Sequence, residues 1–187
     1  MAKAIKRIMQ WTPTALVSAL AFGAVTIPVA SYAKVYLSLE QAQKLIFGPV
    51  IFTPKPQVLS LELQAKMRQE SSVSHAFQGN QIWRTPDGGW FVVDEVVGKH
   101  EMITYAIGIH PDGRIKQIEI LEYKESYGFE VSEASWREQF VGKSVGSTLK
   151  LNQDIQNVSG ATLSAKHLTD GVKRVMVMYQ YALKNQK

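Results

Sequence analysis

Between Gln81 and Tyr123 the chain falls into four strand-like runs in which apolar residues recur at alternate positions: QIWR, GWFVVDEVVG, EMITYAIGIH and RIKQIEILEY. A period of two marks a β-strand, because successive side chains point to opposite faces. The runs are parted only by TPDGG, GKHE and HPDG. Two of these contain Pro-Asp-Gly, in which Pro presets φ and Gly accepts a positive φ. Connections this short join neighbouring antiparallel strands, so the stretch is constrained to a meander of hairpins. On the third run Ile103, Tyr105, Ile107 and Ile109 share one face, and Met102, Thr104, Ala106 and Gly108 share the other. The second face is nearly free of large side chains and leaves room for a helix or a flat ligand. Trp83 and Trp90 flank the first turn and read as hairpin packing. Asp94 with Glu95, and Glu119 with Glu122, read as solvated strand positions rather than working carboxylate pairs.

Helical patterns bracket the meander. YLSLEQAQKLIFG has Ser38 as N-cap, Glu40 and Gln41 in the first turn, an apolar side of Ala42, Leu45 and Ile46, and a stop at Gly48-Pro49. TPKP at Thr53–Pro56 is a turn or extended linker. Val58–Leu63 reads as a strand or as the start of a helical turn, and the pattern does not choose. A short helix is expected from Ser132 to Phe140. In the last helix Leu168, Val172, Val175, Tyr179 and Ala182 step by four, three, four and three, one buried stripe. Lys166, Lys173, Arg174 and Lys184 fall mostly off it, Met176 and Met178 read as ordinary helix residues, and Ser164 is the candidate N-cap. The expected class is α+β, an antiparallel β-sheet flanked by helices after an N-terminal signal or anchor segment. The divisions are 1–33 for that segment, 34–80 for a helical and extended region, and 81–187 for the sheet and last helix.

The segment 1–33 has the three-part layout of a secretory signal. A short basic start carries Lys3, Lys6 and Arg7, an apolar run follows, and Ser31 and Ala33 sit at the −3 and −1 places of a cleavage site before Lys34. An uncleaved membrane anchor is the competing reading, since a spanning helix needs about 20 apolar residues and Pro13–Ala30 nearly supplies them. Both readings export the body. The net charge of +5 owes three of its 21 basic residues to this segment, leaving 18 against 16 acidic ones. A balance so close to neutral gives no argument for nucleic acid. With no cysteine, disulfides, thiolate metal sites, iron–sulfur clusters and cysteine nucleophiles are excluded. His75, His100, His110 and His167 show no ligand spacing, so no metal site is expected.

Just ahead of the last helix lies SGATLS, Ser159–Ser164. A helix N-terminus presents unpaired N–H groups and a partial positive charge, which suit an anion. Gly160 and Ala161 let backbone approach closely; Ser159, Thr162 and Ser164 offer hydroxyls; Lys166 and His167 follow. Spacing alone leaves two readings open, a plain helix cap and a phosphate seat. The Gly-Lys-Ser/Thr of a P-loop is missing.

SGATLS also closely resembles the attachment motif of the FMN-binding domain family, in which the Thr of Ser/Thr-Gly-Ala-Thr carries FMN through a phosphoester bond. Upstream, YKESYGFE (Tyr123–Glu130) resembles the family's Glu-Thr-Pro-Gly-x-Gly segment near the flavin ring, and WREQFVGK (Trp136–Lys143) resembles its Trp-x-x-x-Phe-x-Gly element. The three elements keep the family's order over about Met102–Leu183. The resemblance implies covalent FMN on Thr162 and a cofactor site made by Ser159, Gly160, Ala161, Ser164, Glu125, Ser126, Tyr127, Gly128, Trp136 and Lys143. It further implies a flavin transferase that installs FMN from FAD, and a membrane-bound redox partner. The chain departs from the pattern in two places: Gln156 stands where the family has an Asp six residues before the Thr, with Asp154 two residues further upstream, and Ser126-Tyr127 replaces Thr-Pro.

The expected function is therefore an exported flavoprotein electron carrier, periplasmic or tethered to the inner membrane by an uncleaved N-terminus. Electron transfer is favoured over a self-contained enzyme. The alternatives are a non-covalent FMN binder with the same fold, or a cofactor-free structural or sensory subunit of an exported complex.

Overall fold

A computed structural model of the chain describes residues 34–125 and 128–186. The expected signal or anchor segment, and Ser126 and Tyr127, lie outside the described residues. The strands are β1 (Lys34–Val35), β2 (Thr53–Pro54), β3 (Ile82–Arg84), β4 (Trp90–Val97), β5 (Met102–Ile109) and β6 (Ile115–Tyr123). They form one antiparallel sheet in the order β1-β6-β5-β4-β3-β2. Strands β3 to β6 are the four alternating runs. The TPKP stretch is extended enough for Thr53 and Pro54 to pair with Arg84 and Trp83 as an edge strand. An edge is where a proline is tolerated, since it has no N–H for a ladder.

Helices α1 (Leu39–Phe47), α2 (Leu61–Ser71), α3 (Ala134–Arg137) and α4 (Thr162–Met178) complete the fold. At α1 the Ser38 hydroxyl accepts from Gln41 N, and the Gln41 side chain accepts in turn from Ser38 N. This reciprocal capping box fixes the start of the helix. At α2 the open choice resolves to helix, because Ser60 accepts from Leu63 N as N-cap and Leu61 and Val58 stay in solvent. The segment expected as a helix over Ser132–Phe140 is split into a 3₁₀ turn at Phe129–Ser132, the one-turn α3, and a second 3₁₀ turn at Glu138–Phe140. The backbone just beyond it pairs with the start of β6: Ile115 N donates to Lys143 O, and Gly142 N to Ile115 O.

The sheet divides two apolar layers. On one side α1 covers the face of small side chains, packing Ala42 and Ile46 against Phe91, Val93, Ala106 and Leu121. A Cβ at Gly108 would stand 2.3 Å from Ile46 Cγ2, so the room left on that face belongs to a helix and not to a flat ligand. Leu45, expected on the apolar side, is exposed. On the other side lies the main core, where Leu168, Val172, Val175 and Tyr179 of the α4 region meet Ile103, Tyr105, Ile107 and Ile109. Met67 of α2 joins the same core. Among the described residues no helix is long and apolar enough to cross a membrane.

Two charged pairs correct the expectation of solvated strand carboxylates. Arg174 is 1% exposed, although it falls off the apolar stripe of α4. Its Nε and Nη2 donate to Asp94 Oδ2 and Oδ1 at 3.1 and 2.8 Å. Further donations reach the carbonyls of His75 and Glu95, and Tyr105 Oη donates to the same carboxylate at 2.8 Å. Burial pushes the Asp94 carboxyl up, while Arg174 and Tyr105 pull against that shift. Glu119 is likewise buried, paired with Arg137 Nη1 at 2.6 Å. Removing one partner of a buried pair leaves an uncompensated charge, at a cost of about 3–5 kcal/mol. Arg174→Met is therefore expected to lose about 3–5 kcal/mol in urea unfolding, whereas Lys166→Met, at an exposed position of the same helix, changes stability by less than about 0.5 kcal/mol.

Candidate functional site

Two passages of the meander and the start of α4 meet at one end of the sheet. There the β4–β5 turn (98–101), the residues following β6, and the N-terminus of α4 enclose a cavity of about 730 Å³. Lys99, His100 and Glu101 form one wall, Lys124, Glu125 and Gly128 a second, and Gly160–Ser164 the floor. Its size lies within the roughly 300–1,000 Å³ typical of small-molecule sites.

Thr162 is the first residue of α4 and is solvent-exposed. Its Oγ1 accepts a hydrogen bond from Asn157 Nδ2 at 3.0 Å. Asn157 Oδ1 accepts from Val158 N at 2.8 Å, which fixes the amide in that orientation. Gly160 precedes it at φ +86°. Ala161 takes the N-cap position, and among the described residues no side chain caps the first N–H groups of α4. The expectation that Ser164 caps the helix is corrected: Ser164 lies within α4, 3% exposed, with Oγ 3.0 Å from Tyr123 Oη. Serine works here because a small hydroxyl can meet the buried phenol where α4 crosses the end of β6.

Gly128 closes the second wall. It has φ +82°, and a Cβ there would stand 2.9 Å from Tyr123 Oη, 3.2 Å from Ser164 Oγ and 3.5 Å from Ala161 Cα. Backbone alone therefore fits against the start of α4 at this point. Glu125 Oε1 accepts from the N–H groups of His100 and Glu101. Partial burial pushes this carboxyl up, but the N–H groups of Glu101, His100 and Lys99 outweigh it and hold Glu125 below the ordinary glutamate range.

Trp136 and Lys143 are not among the residues that line the cavity. Trp136 packs edge-to-face on Phe140 at 5.2 Å and donates from Nε1 to Gln156 O at 2.8 Å. Lys143 Nζ lies 3.3 Å from Asp154. Both support the loop that leads into Ser159–Thr162, and Ser159 stands exposed in that loop outside the lining. The Asp154 carboxylate accepts from Leu149 N and Lys150 N, so it braces a turn instead of standing in for an acid at position 156. The Gln156 side chain is exposed, while its backbone N donates to Gln139 Oε1. Asn157, Lys99, His100 and Lys124 escaped the sequence reading. GKHE was legible only as a turn, and nothing in four residues says which end of another element they will meet.

Residues 98–177 match the FMN-binding domain family. The match begins at the β4–β5 turn and ends one residue before the end of α4, so it contains both walls and the floor of the cavity. The resemblance carried by SGATLS and its two upstream elements is thus supported over this span. One relative is a component of the Na(+)-translocating ferredoxin:NAD(+) oxidoreductase complex of Acetobacterium woodii, 33% identical over 82 residues. The similarity covers 39% of this chain and 40% of that relative, so the chain spans less than half the length of the protein it matches. The residues present fit FMN. An open helix N-terminus with an exposed hydroxyl suits the phosphate, and a half-open cavity walled by backbone, Lys99, His100, Lys124 and the carboxylates of Glu101 and Glu125 leaves room for the remainder.

Two outcomes check this geometry. Gly128→Ala must strain φ and displace Tyr123 or Ser164, at about 1–3 kcal/mol, seen as a lower urea midpoint. For Asp154, partial burial pushes the carboxyl up, but the N–H groups of Lys150 and Leu149, and Lys143, hold it below the ordinary aspartate range. A depressed folded value means stability that is complete above the unfolded pKa of about 3.9 and is lost as pH falls through the folded one. Asp154→Asn is expected to be less stable than wild type at pH 7 and to lose less on acidification below about pH 4, followed by thermal unfolding across pH.

Proposed function

We propose that the chain is an exported electron carrier with FMN esterified through its phosphate to Thr162 Oγ1, exchanging electrons with a membrane-bound redox partner. The observation that carries this reading is Thr162 itself, an exposed hydroxyl on the first residue of a buried 17-residue helix, at the floor of the cavity. The bound group supplies one- and two-electron chemistry, and the protein supplies place and field. Gly160 and Ala161 let the ester sit against backbone, the N–H groups of the first turn of α4 face its charge, and Lys99 and Lys124 line the cavity above.

Attachment is a phosphoryl transfer from FAD. The Thr162 oxygen forms the new P–O bond, the pyrophosphate bond breaks, AMP leaves, and the hydroxyl proton goes to a base. Asn157 donates to Thr162 Oγ1 and cannot take that proton, and Asp154 is committed to its turn. We assign the base to a flavin transferase, which an exposed Thr162 can enter. Once formed, the ester holds the cofactor at any dilution, which suits a protein released from or tethered outside the cytoplasmic compartment. The basic start and apolar run at the head of the chain, read as a signal or an anchor, support export on grounds of composition.

Co-expression with a flavin transferase, denaturing electrophoresis and illumination of the gel test the proposal. A fluorescent band that survives denaturation and vanishes in Thr162→Ala is expected. Flavin that is present in the native protein and washes out on denaturation would replace the ester with non-covalent binding, and no flavin in either state would favour a cofactor-free subunit.

A further inference from the structure

The β4–β5 turn is gripped on both of its polar sides. His167 lies on α4, five residues beyond Thr162, and its Nδ1 is 2.7 Å from Val97 O and 2.9 Å from Gly98 O. Both neighbours are carbonyls, so Nδ1 carries the proton and donates. From the opposite strand end, Glu125 Oε1 takes the N–H groups of His100 and Glu101. A carboxylate accepting from backbone is a charge-assisted bond, stronger than a neutral one. Gly98 makes room for it, since a Cβ there would stand 2.7 Å from Glu125 Oε1 and 3.1 Å from its Cγ. A four-residue turn at a sheet end is ordinarily among the first places to open. Here one residue of the helix that bears Thr162 holds its carbonyls, and one residue after β6 holds its amides.

We propose that His167 and Glu125 are positioning residues that clamp the 98–101 turn between α4 and the end of β6, and so fix Lys99 and His100 in the wall of the cavity that Thr162 also lines. The consequence for a bound flavin rests on the reading above: the clamp sets how close the opposite charges of Lys99 and Glu101 stand to the cofactor, and so sets its potential. Releasing the clamp lets the turn swing into water, where both charges are screened. Glu125, which the resemblance places beside the flavin, acts in this arrangement through the turn.

Amide hydrogen exchange on the full chain, with and without flavin, tests the clamp. In the wild type the His100 and Glu101 amides exchange slowly for an exposed turn. Glu125→Ala and Gly98→Ala accelerate them by roughly tenfold or more. His167→Ala does the same, although the hydrogen bonds of His167 among the described residues go to carbonyls; that cross-effect shows the two grips act together. His167→Asn, whose amide nitrogen can take the place of Nδ1, restores protection. In the flavin-loaded protein the midpoint potential shifts in His167→Ala and returns to the wild-type value in His167→Asn. Equal exchange at these two amides in wild type and His167→Ala would overturn the clamp, and accelerated exchange with an unmoved potential would overturn its role at the cofactor. Exchange in the flavin-free chain decides the clamp even where no flavin is found, so its failure is distinct from failure of the flavin reading.

Discussion

The placement of α4 depends on one buried ion pair. Asp94 and Arg174 meet in bidentate geometry where both side chains are almost wholly removed from water. An apolar stripe alone would let a helix slide along a sheet, because hydrophobic burial has no direction. A bidentate pair has direction, and it fixes both the axial position and the rotation of the helix. Gly171 lets the helix come close, with Val96 Cγ1 and Tyr105 Oη where a Cβ would stand. At 1.5 Å per residue, Thr162 then lies about 18 Å along the axis from Arg174. The pair works as the fixed end of a ruler whose other end is the floor of the cavity.

From that anchor the division of labour follows. The core-facing side of α4 is committed to packing, and its N-terminus is left open, with Ala161 in a cap position where a hydroxyl would ordinarily fold over the first N–H groups. Ser164, which could have served as a cap, is bonded to Tyr123. The loop before the helix is held by residues that never reach the cavity. Trp136 takes the Gln156 carbonyl, Lys143 braces Asp154, and Asn157 reaches forward to Thr162. An exposed hydroxyl on a rigid platform is what a modifying enzyme needs in order to find its target and what a tethered cofactor needs in order to keep its orientation.

Much of this is legible in the residues alone. The four alternating runs mark strands within a residue or two of their bounds, because short Pro-Asp-Gly turns permit only hairpins. The stripe of α4 is legible because burial on a helix has a period. Other features depend on partners far away in sequence. Arg174 reads as solvent-facing in a local pattern, and only Asp94, eighty residues earlier, makes its burial tolerable. Asp94 and Glu119 are misread for the same reason. Ser164 looks like a cap because capping is local, while its bond to Tyr123 is not. Within the site, the small-residue run and the Glu125–Gly128 segment are found by motif. Lys99, His100 and Asn157 are not, since their roles come from the meander bringing a turn and a loop to the same end of the sheet.

The covalent bond to Thr162 is the claim on which the functional reading turns, and it can be read directly on a single peptide. Trypsin cuts after Lys150 and Lys166 and releases Leu151–Lys166, which contains Ser159, Thr162 and Ser164. Fragmentation mass spectrometry of this peptide from protein matured with a flavin transferase is predicted to place one FMN, joined with loss of water, on Thr162. An unmodified peptide from that protein, or flavin localised to Ser159 or Ser164, would contradict it.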